Sequence, residues 1–160
     1  MNKEKISSTD EYKKDTNACT VVTLSVIADI PFDEAQAVMA AMGRKFRKGM
    51  YRSDWLPIFR TFCNLESFRD YEGKSVSVFM REEKSLIEKN MIVIQIKGHV
   101  FAVQNGEIED WMDATRRHRI VKMWIVKGRK GYDHTDDYIT GRDIVEKRYK
   151  RKPQRRSLFG

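Results

Sequence analysis

Three residues far apart in the chain, Cys19, His99 and Asp110, have the side-chain types needed for nucleophilic attack on a carbonyl. A cysteine hydrolase needs a thiolate that attacks, an imidazole that exchanges its proton, and a third group that orients the imidazole. Such residues meet only in the folded protein, so their separation along the chain is no obstacle. We therefore predict a Cys-His-Asp triad that needs no metal ion and no organic cofactor.

The segment that follows Cys19 predicts a buried helix that begins close to the cysteine. Apolar residues recur there at helical spacing, and Asp15, Thr16 and Asn17 offer side-chain acceptors for an N-cap. Several β-branched residues lower the helix propensity, so a strand is the alternative, although the run exceeds a typical strand. At the start of a helix, free N–H groups and the helix dipole would favour the thiolate form of Cys19.

His99 and Asp110 are expected on the two strands of one β-hairpin. The segments 99–104 and 107–110 are rich in the residues that strands prefer, and Asn105-Gly106 between them is a strong hairpin signal. His99 begins the first strand and Asp110 ends the second, so the two come close to being cross-strand partners. A carboxylate would then lie within reach of the imidazole.

The remaining hydrophobic pattern predicts an α+β fold, with helices first and an antiparallel sheet afterwards. Gly43 can end a helix, and Pro57 is expected in the first turn of another, where proline is tolerated. A basic loop is expected over residues 44–51. The predicted helices are the one after Cys19 and those over 32–43, 53–64 and roughly 76–89, and the predicted strands, forming a meander, are 91–96, 99–104, 107–110 and 118–126.

The segments DTNACTVVTLSVIADIPFDEAQAVM and KGHVFAVQNGEIEDW together resemble the papain-like cysteine peptidase superfamily. The branch they resemble is the compact bacterial and bacteriophage group related to the bacteriocin leader-processing peptidases. In that group the nucleophilic cysteine opens the central helix, the histidine lies in a Gly-His-hydrophobic strand, and Asp or Asn follows a turn with glycine. Cys19, Gly98-His99 and Asp110 match those positions. The resemblance covers roughly residues 15–127 and implies a papain-like hydrolase or acyl-transfer enzyme acting on a peptide, isopeptide or amide bond.

The chain departs from the superfamily at the oxyanion hole. The family usually has a glutamine several residues before the cysteine, whereas the upstream positions here are Tyr12, Lys13 and Lys14. Asn17, two residues before Cys19, is the residue expected to donate instead. Loss of one oxyanion donor typically costs about 100- to 1,000-fold in rate. The alternative function is therefore an inactive papain-like scaffold that binds nucleic acid or a host protein through its basic surfaces.

The net charge of +8 is spread unevenly along the chain. We expect a flexible N-terminal arm over residues 1–14, a papain-like domain over 15–127, and a basic, mobile tail over 128–160. A cationic block in the tail predicts nucleic-acid binding through phosphates, without sequence specificity. The basic loop over 44–51 would add to this patch or contact an acidic substrate. The tail residues of the block are Lys147, Arg148, Lys150, Arg151, Lys152, Arg155 and Arg156.

Composition excludes several other classes of protein. The two cysteines cannot form a disulfide framework or a cysteine-rich zinc site, and Cys63 is interpreted as a small buried hydrophobe. No two of the three histidines have short helical spacing, so no metal site is expected. The chain has neither an apolar run of about 20 residues nor a secretory signal at its start. We therefore expect no membrane partner and a cytoplasmic location, in the bacterial host if the protein is phage-encoded.

Overall fold

The computed structural model describes residues 17–110 and 116–130, where five helices and a five-stranded antiparallel sheet are formed. The predicted arm over residues 1–14 and the predicted nucleic-acid-binding cations between 147 and 156 lie outside the described residues. None of the described helices is long and apolar enough to cross a bilayer. In chain order the elements are α1 (Cys19–Ala28), α2 (Phe32–Ala41), α3 (Arg52–Phe62), β1 (Cys63–Ser67), α4 (Val76–Glu82), α5 (Lys84–Lys89), β2 (Met91–Ile96), β3 (His99–Gln104), β4 (Glu107–Glu109) and β5 (Lys122–Arg129).

The predicted α+β class is confirmed, because helices are followed by an antiparallel sheet with the strand order β1-β5-β2-β3-β4. The prediction of a simple meander is correct for β2, β3 and β4 but wrong for the last strand. β5 crosses back to pair with β2, which buries Met123, Trp124 and Ile125 on its two faces. β1, which the sequence pattern did not reveal, pairs with the outer side of β5.

Three local predictions also need correction. The last strand begins at residue 122 rather than 118, because the backbone of Ile120 instead bonds to Gly73 and Lys74. α3 begins at Arg52, so Pro57 lies in the second turn, where its missing N–H costs one helical hydrogen bond. The helix predicted over 76–89 is two short helices, because the backbone of Glu83 (φ −113°, ψ 37°) departs from helical geometry.

α1 is the central helix of the fold, and its residues 20–28 are all buried. A helix that is apolar on every side must be surrounded by other elements, and α1 packs against α2, α3 and the sheet. Its last turn is held by Arg129 Nε and Cys63 Sγ, which both donate to the carbonyl of Ile27, at 2.9 Å and 3.2 Å. The core therefore determines where the first residue of α1, Cys19, is placed.

The sheet separates two hydrophobic clusters, one on each face. Val93, Val100 and Trp124 face the cluster that contains α1, α2 and α3. The alternate residues of the same strands, such as Ile94 and Phe101, face the cluster that contains α4 and α5. Because the central strands are buried on both faces, they read in sequence as continuous apolar runs.

Candidate active site

His99 and Asp110 form a close pair at one end of the sheet. The ring nitrogen Nε2 of His99 lies 2.7 Å from Oδ2 of Asp110, and the exposed fractions of the two side chains are 12% and 2%. The imidazole also stacks on the ring of Phe101, with centroids 5.9 Å apart. A carboxylate that is this buried, with one oxygen on the imidazole, limits rotation of the ring.

The β3–β4 hairpin brings this pair together through its register. Gln104 pairs with Glu107 and Ala102 with Glu109, so continuing the ladder by one step sets Asp110 opposite Phe101. His99 lies two residues before Phe101 and is therefore the diagonal neighbour of Asp110 rather than its direct partner. Diagonal neighbours on one face remain within reach of long side chains, and Asn105-Gly106, both at positive φ, form the turn.

Cys19 is the first residue of α1 and is half-buried. Its side chain interacts electrostatically with the imidazole of His99, and this interaction raises the pKa of His99. Nε2 faces Asp110, so Nδ1 is the ring nitrogen that Asp110 does not engage. The structure thus brings the three predicted residues together, with the imidazole bonded to the carboxylate and coupled electrostatically to the cysteine.

The contacts of His99 change its acid–base behaviour. Burial by itself lowers its pKa, but hydrogen bonding of the ring to Asp110 and Cys19, together with their Coulombic attraction, raises the pKa from 6.5 to about 9. The raised pKa favours the protonated imidazole, in which both ring nitrogens are donors. A protonated ring between a carboxylate and a sulfur is the charge arrangement that stabilises a thiolate.

The raised pKa of His99 predicts a pH-dependent contribution to stability. The folded state binds this proton more tightly than the unfolded chain, so the contribution is complete below about pH 6.5 and is lost as the pH rises through about 9. The two pKa values correspond to a loss of about 3 kcal/mol. Urea unfolding is measured between these pH values on Cys19→Ala and on Cys19→Ala/His99→Gln, because an ionised Cys19 thiol would offset the proton that His99 holds. Stability should decline more steeply with pH in Cys19→Ala, and parallel declines would contradict the raised pKa of His99.

Asn17 occupies a left-handed turn two residues before the cysteine, with φ 59°. Its amide Nδ2 donates to the carbonyl of Arg47 at 3.2 Å, and Arg44 Nη2 donates to its backbone carbonyl at 3.3 Å. The N-cap of α1 is instead Ala18, without a side-chain hydrogen bond, so the N-cap expected of Asn17 is not formed. The other two predicted N-cap residues lie outside the described residues.

The described contacts of Asn17 join it to the basic loop rather than to Cys19. Its predicted role as an oxyanion donor stays a prediction. The backbone N–H of Cys19 is a second donor for such a hole, because the first N–H groups of an α-helix have no partner within the helix.

Thr23 is a residue of the site that the sequence reasoning missed. It is fully buried, and its hydroxyl donates to the carbonyl of Cys19 at 2.7 Å and lies 3.3 Å from the carbonyl of Val100. Val100 follows His99, so this hydroxyl lies between the cysteine-bearing helix and the histidine-bearing strand. Its position four residues after Cys19, about one helical turn away, was the available signal.

Thr23→Val is expected to loosen the contact between α1 and β3. The isosteric side chain fills the same space but cannot donate, and the loss should cost about 1–2 kcal/mol of unfolding free energy. We also expect Cys19 to react severalfold more slowly with alkylating reagents, because its distance from His99 is then less restricted. Unchanged stability and reactivity would show that the hydroxyl has no positioning role.

Cys63 provides an internal comparison for Cys19. It is fully buried, and burial raises the pKa of its thiol to about 11, although Arg129 and Lys130 partly oppose the shift. Its Sγ is also occupied as a donor to Ile27. The structural interpretation of Cys63 thus agrees with its surroundings, and His118, the other described histidine, is exposed.

Within residues 17–110 and 116–130, no three His, Cys, Asp or Glu side chains lie close enough together to hold a metal ion. Comparisons of the chain with protein-family models, with curated proteins and with solved structures find no match.

Proposed function

We propose that the protein is a papain-like cysteine hydrolase or acyl-transfer enzyme that acts on a peptide, isopeptide or amide bond. The observation that carries the proposal is one imidazole, His99, that is bonded to a buried carboxylate and coupled electrostatically to a cysteine at the start of a central helix. Each residue has the role that its surroundings favour. Cys19 is the nucleophile, His99 the proton carrier, and Asp110 the orienting group.

The reaction follows from the protonation state of the pair. The Cys19 thiolate attacks the carbonyl carbon, and the oxygen that becomes negative accepts a hydrogen bond from the Cys19 backbone N–H, aided by Asn17 if its side chain reorients. The imidazolium of His99 gives its proton to the leaving amine as the C–N bond breaks, which leaves a thioester. Neutral His99 then takes a proton from water or another nucleophile, whose attack releases the acyl group and restores the thiolate.

The order of the elements supports the papain-like part of the proposal. A cysteine opens a buried helix in the first half of the chain, and a histidine begins a strand in the second half. An aspartate follows after one hairpin turn. These are the positions on which the sequence resemblance depends. The proposal includes a cytoplasmic location, in a bacterial host if the protein is phage-encoded, since a reducing compartment keeps both cysteines as thiols.

Covalent capture by a peptide electrophile tests the proposal. An acetylated tripeptide vinyl sulfone should add one equivalent to the protein near neutral pH, which intact-mass spectrometry detects. Cys63→Ala should react at the wild-type rate and Cys19→Ala should not react, because the buried thiol of Cys63 is inaccessible. Equal labelling of the two variants, or none in the wild type, would contradict an activated Cys19.

The second candidate function, an inactive scaffold that binds nucleic acid or a host protein, has one observation in its favour. The side-chain nitrogen of Asn17 donates to Arg47, so the expected replacement for the family's glutamine is engaged elsewhere. Affinity for DNA or RNA that falls steeply with salt, and that is lost when residues 141–160 are removed, would favour this candidate.

A further inference from the structure

The basic loop over residues 44–51 carries a strong local excess of positive charge. It holds four cations, Arg44, Lys45, Arg47 and Lys48, and no acidic residue. Lys45, Arg47 and Lys48 are exposed, and so is Phe46, over whose ring the Arg47 guanidinium lies at 5.3 Å. A run of exposed cations beside an exposed aromatic ring is an interaction surface rather than part of the core.

Two hydrogen bonds attach the basic loop to the turn that precedes the nucleophile. The Asn17 amide donates to the Arg47 carbonyl at 3.2 Å, and Arg44 donates to the Asn17 carbonyl at 3.3 Å. Arg44 is itself only 6% exposed, so the Arg44 side of this attachment is buried. Asn17 is two residues before Cys19, and the basic loop is therefore fixed to the turn that precedes the nucleophile.

The far end of the basic loop borders a cleft of about 530 Å³ whose lining includes Tyr51, Arg52, Arg60 and Gln95. Arg52 Nη1 donates to Gln95 Oε1 at 3.1 Å. Gln95 is the cross-strand partner of Val100, the residue that follows His99. The loop thus runs from the turn before Cys19 to a cleft bordered by β2, the strand that pairs with the histidine-bearing strand. Two further cations, Arg52 and Arg60, line that cleft.

We propose that the basic loop selects polypeptide substrates that carry acidic residues next to the reacting carbonyl, an inference that rests on the proposed function. Anionic side chains close to the bond to be cleaved are attracted by the loop and by the cleft arginines. Electrostatic steering of this kind raises association rates by about 10-fold or more at low salt. A polypeptide is favoured over a nucleic acid because the basic loop is bonded to the turn that precedes Cys19, and the proposed chemistry of Cys19 acts on carbonyl groups.

Three tripeptide vinyl sulfones that differ only in charge test this inference. The probes are Ac-Glu-Glu-Gly, Ac-Gln-Gln-Gly and Ac-Lys-Lys-Gly vinyl sulfone, and the measured quantity is the second-order rate of Cys19 labelling. We expect the Glu probe to react about 10-fold faster than the isosteric Gln probe at about 50 mM salt, and the Lys probe to be slowest. At about 500 mM salt the Glu and Gln rates should agree within about twofold.

Matched variants test whether the basic loop causes the faster reaction of the Glu probe. Lys45→Gln/Lys48→Gln should reduce the ratio of Glu to Gln rates to about twofold or less. Lys84→Gln/Lys89→Gln removes the same charge from α5, which packs on the other face of the sheet, and should keep the wild-type ratio. The inference is overturned by equal Glu and Gln rates in the wild type, or by a preference that survives in the loop variant.

The Gln probe separates failure of the inference from failure of the proposed function. If the Gln probe labels Cys19 of the wild type, the result supports an activated nucleophile. The ratio of the Glu and Gln rates then tests the role of the basic loop by itself. If no probe labels Cys19, the proposed function fails and this inference fails with it. Protection of Cys19 from the Gln probe by a single-stranded oligonucleotide would show that the loop binds nucleic acid, which would also overturn the inference.

Discussion

Replacing His99 with alanine is expected to lower the rate of vinyl sulfone addition to Cys19 by about 100- to 10,000-fold. The substitution removes the imidazole that is coupled electrostatically to Cys19 and whose raised pKa favours a positive charge at neutral pH. His118, the other described histidine, is exposed. The measurement is the second-order rate by intact-mass spectrometry at pH 7.

His118→Ala is the matched control, since it removes an exposed histidine and should leave the rate unchanged. The His99→Ala protein could also lose its fold, because the buried Asp110 carboxylate then has no imidazole beside it. His99→Gln addresses this, because its amide can still donate to Asp110 but cannot carry a proton. A folded His99→Gln protein, verified by circular dichroism, that reacts at the wild-type rate would show that the imidazole has no chemical role.

Replacing Asp110 is expected to give two different results, depending on whether a hydrogen-bond acceptor remains. Asp110→Ala removes the group that holds the ring and should reduce Cys19 labelling about 100-fold or more, because the imidazole can rotate away from the sulfur. Asp110→Asn retains an oxygen that can accept from Nε2 but removes the negative charge. It should therefore preserve much of the orientation while lowering the pKa of His99 below its wild-type value of about 9.

NMR titration of the His99 ring measures that second effect directly. The pKa of the ring in Asp110→Asn should fall by about 1 or more, since loss of an opposing charge at hydrogen-bond distance typically changes a pKa by that amount. Glu107→Gln, an exposed position on β4, is the control for charge removal from the same hairpin. An unchanged pKa in Asp110→Asn would mean that the carboxylate does not hold the imidazolium.

The parts of the fold that follow from short-range pattern were predictable from the sequence. The apolar run after Cys19 favoured a buried helix over a strand because it exceeds the length of a typical strand, and α1 is such a helix. Asn105-Gly106 between two β-rich segments determined the hairpin that carries His99 and Asp110. Both signals are local, because helix periodicity and turn geometry depend on neighbouring residues alone.

The features that sequence reasoning missed depend on contacts between distant segments. β1 contains exposed polar residues, and it forms a strand because its backbone pairs with the outer edge of β5. Arg44 lies in a basic loop, and nothing in the loop's sequence indicates that its side chain is buried beside Asn17. Asn17 was one of three residues expected to cap α1, but its side-chain nitrogen donates to the Arg47 carbonyl, 30 positions away.

The rate of iodoacetamide alkylation of Cys19 and Cys63 against pH, in the wild type and in His99→Ala, tests the central claim most directly. A thiolate paired with an imidazolium predicts rapid alkylation of Cys19 at pH 6–7 that His99→Ala abolishes, since only the thiolate reacts. Cys63 should stay unreactive throughout, because it is buried and the pKa of its thiol is about 11. If Cys19 instead reacts like an ordinary thiol, equally fast with and without His99, the triad is not functional. The function would then be sought in binding through the basic surfaces.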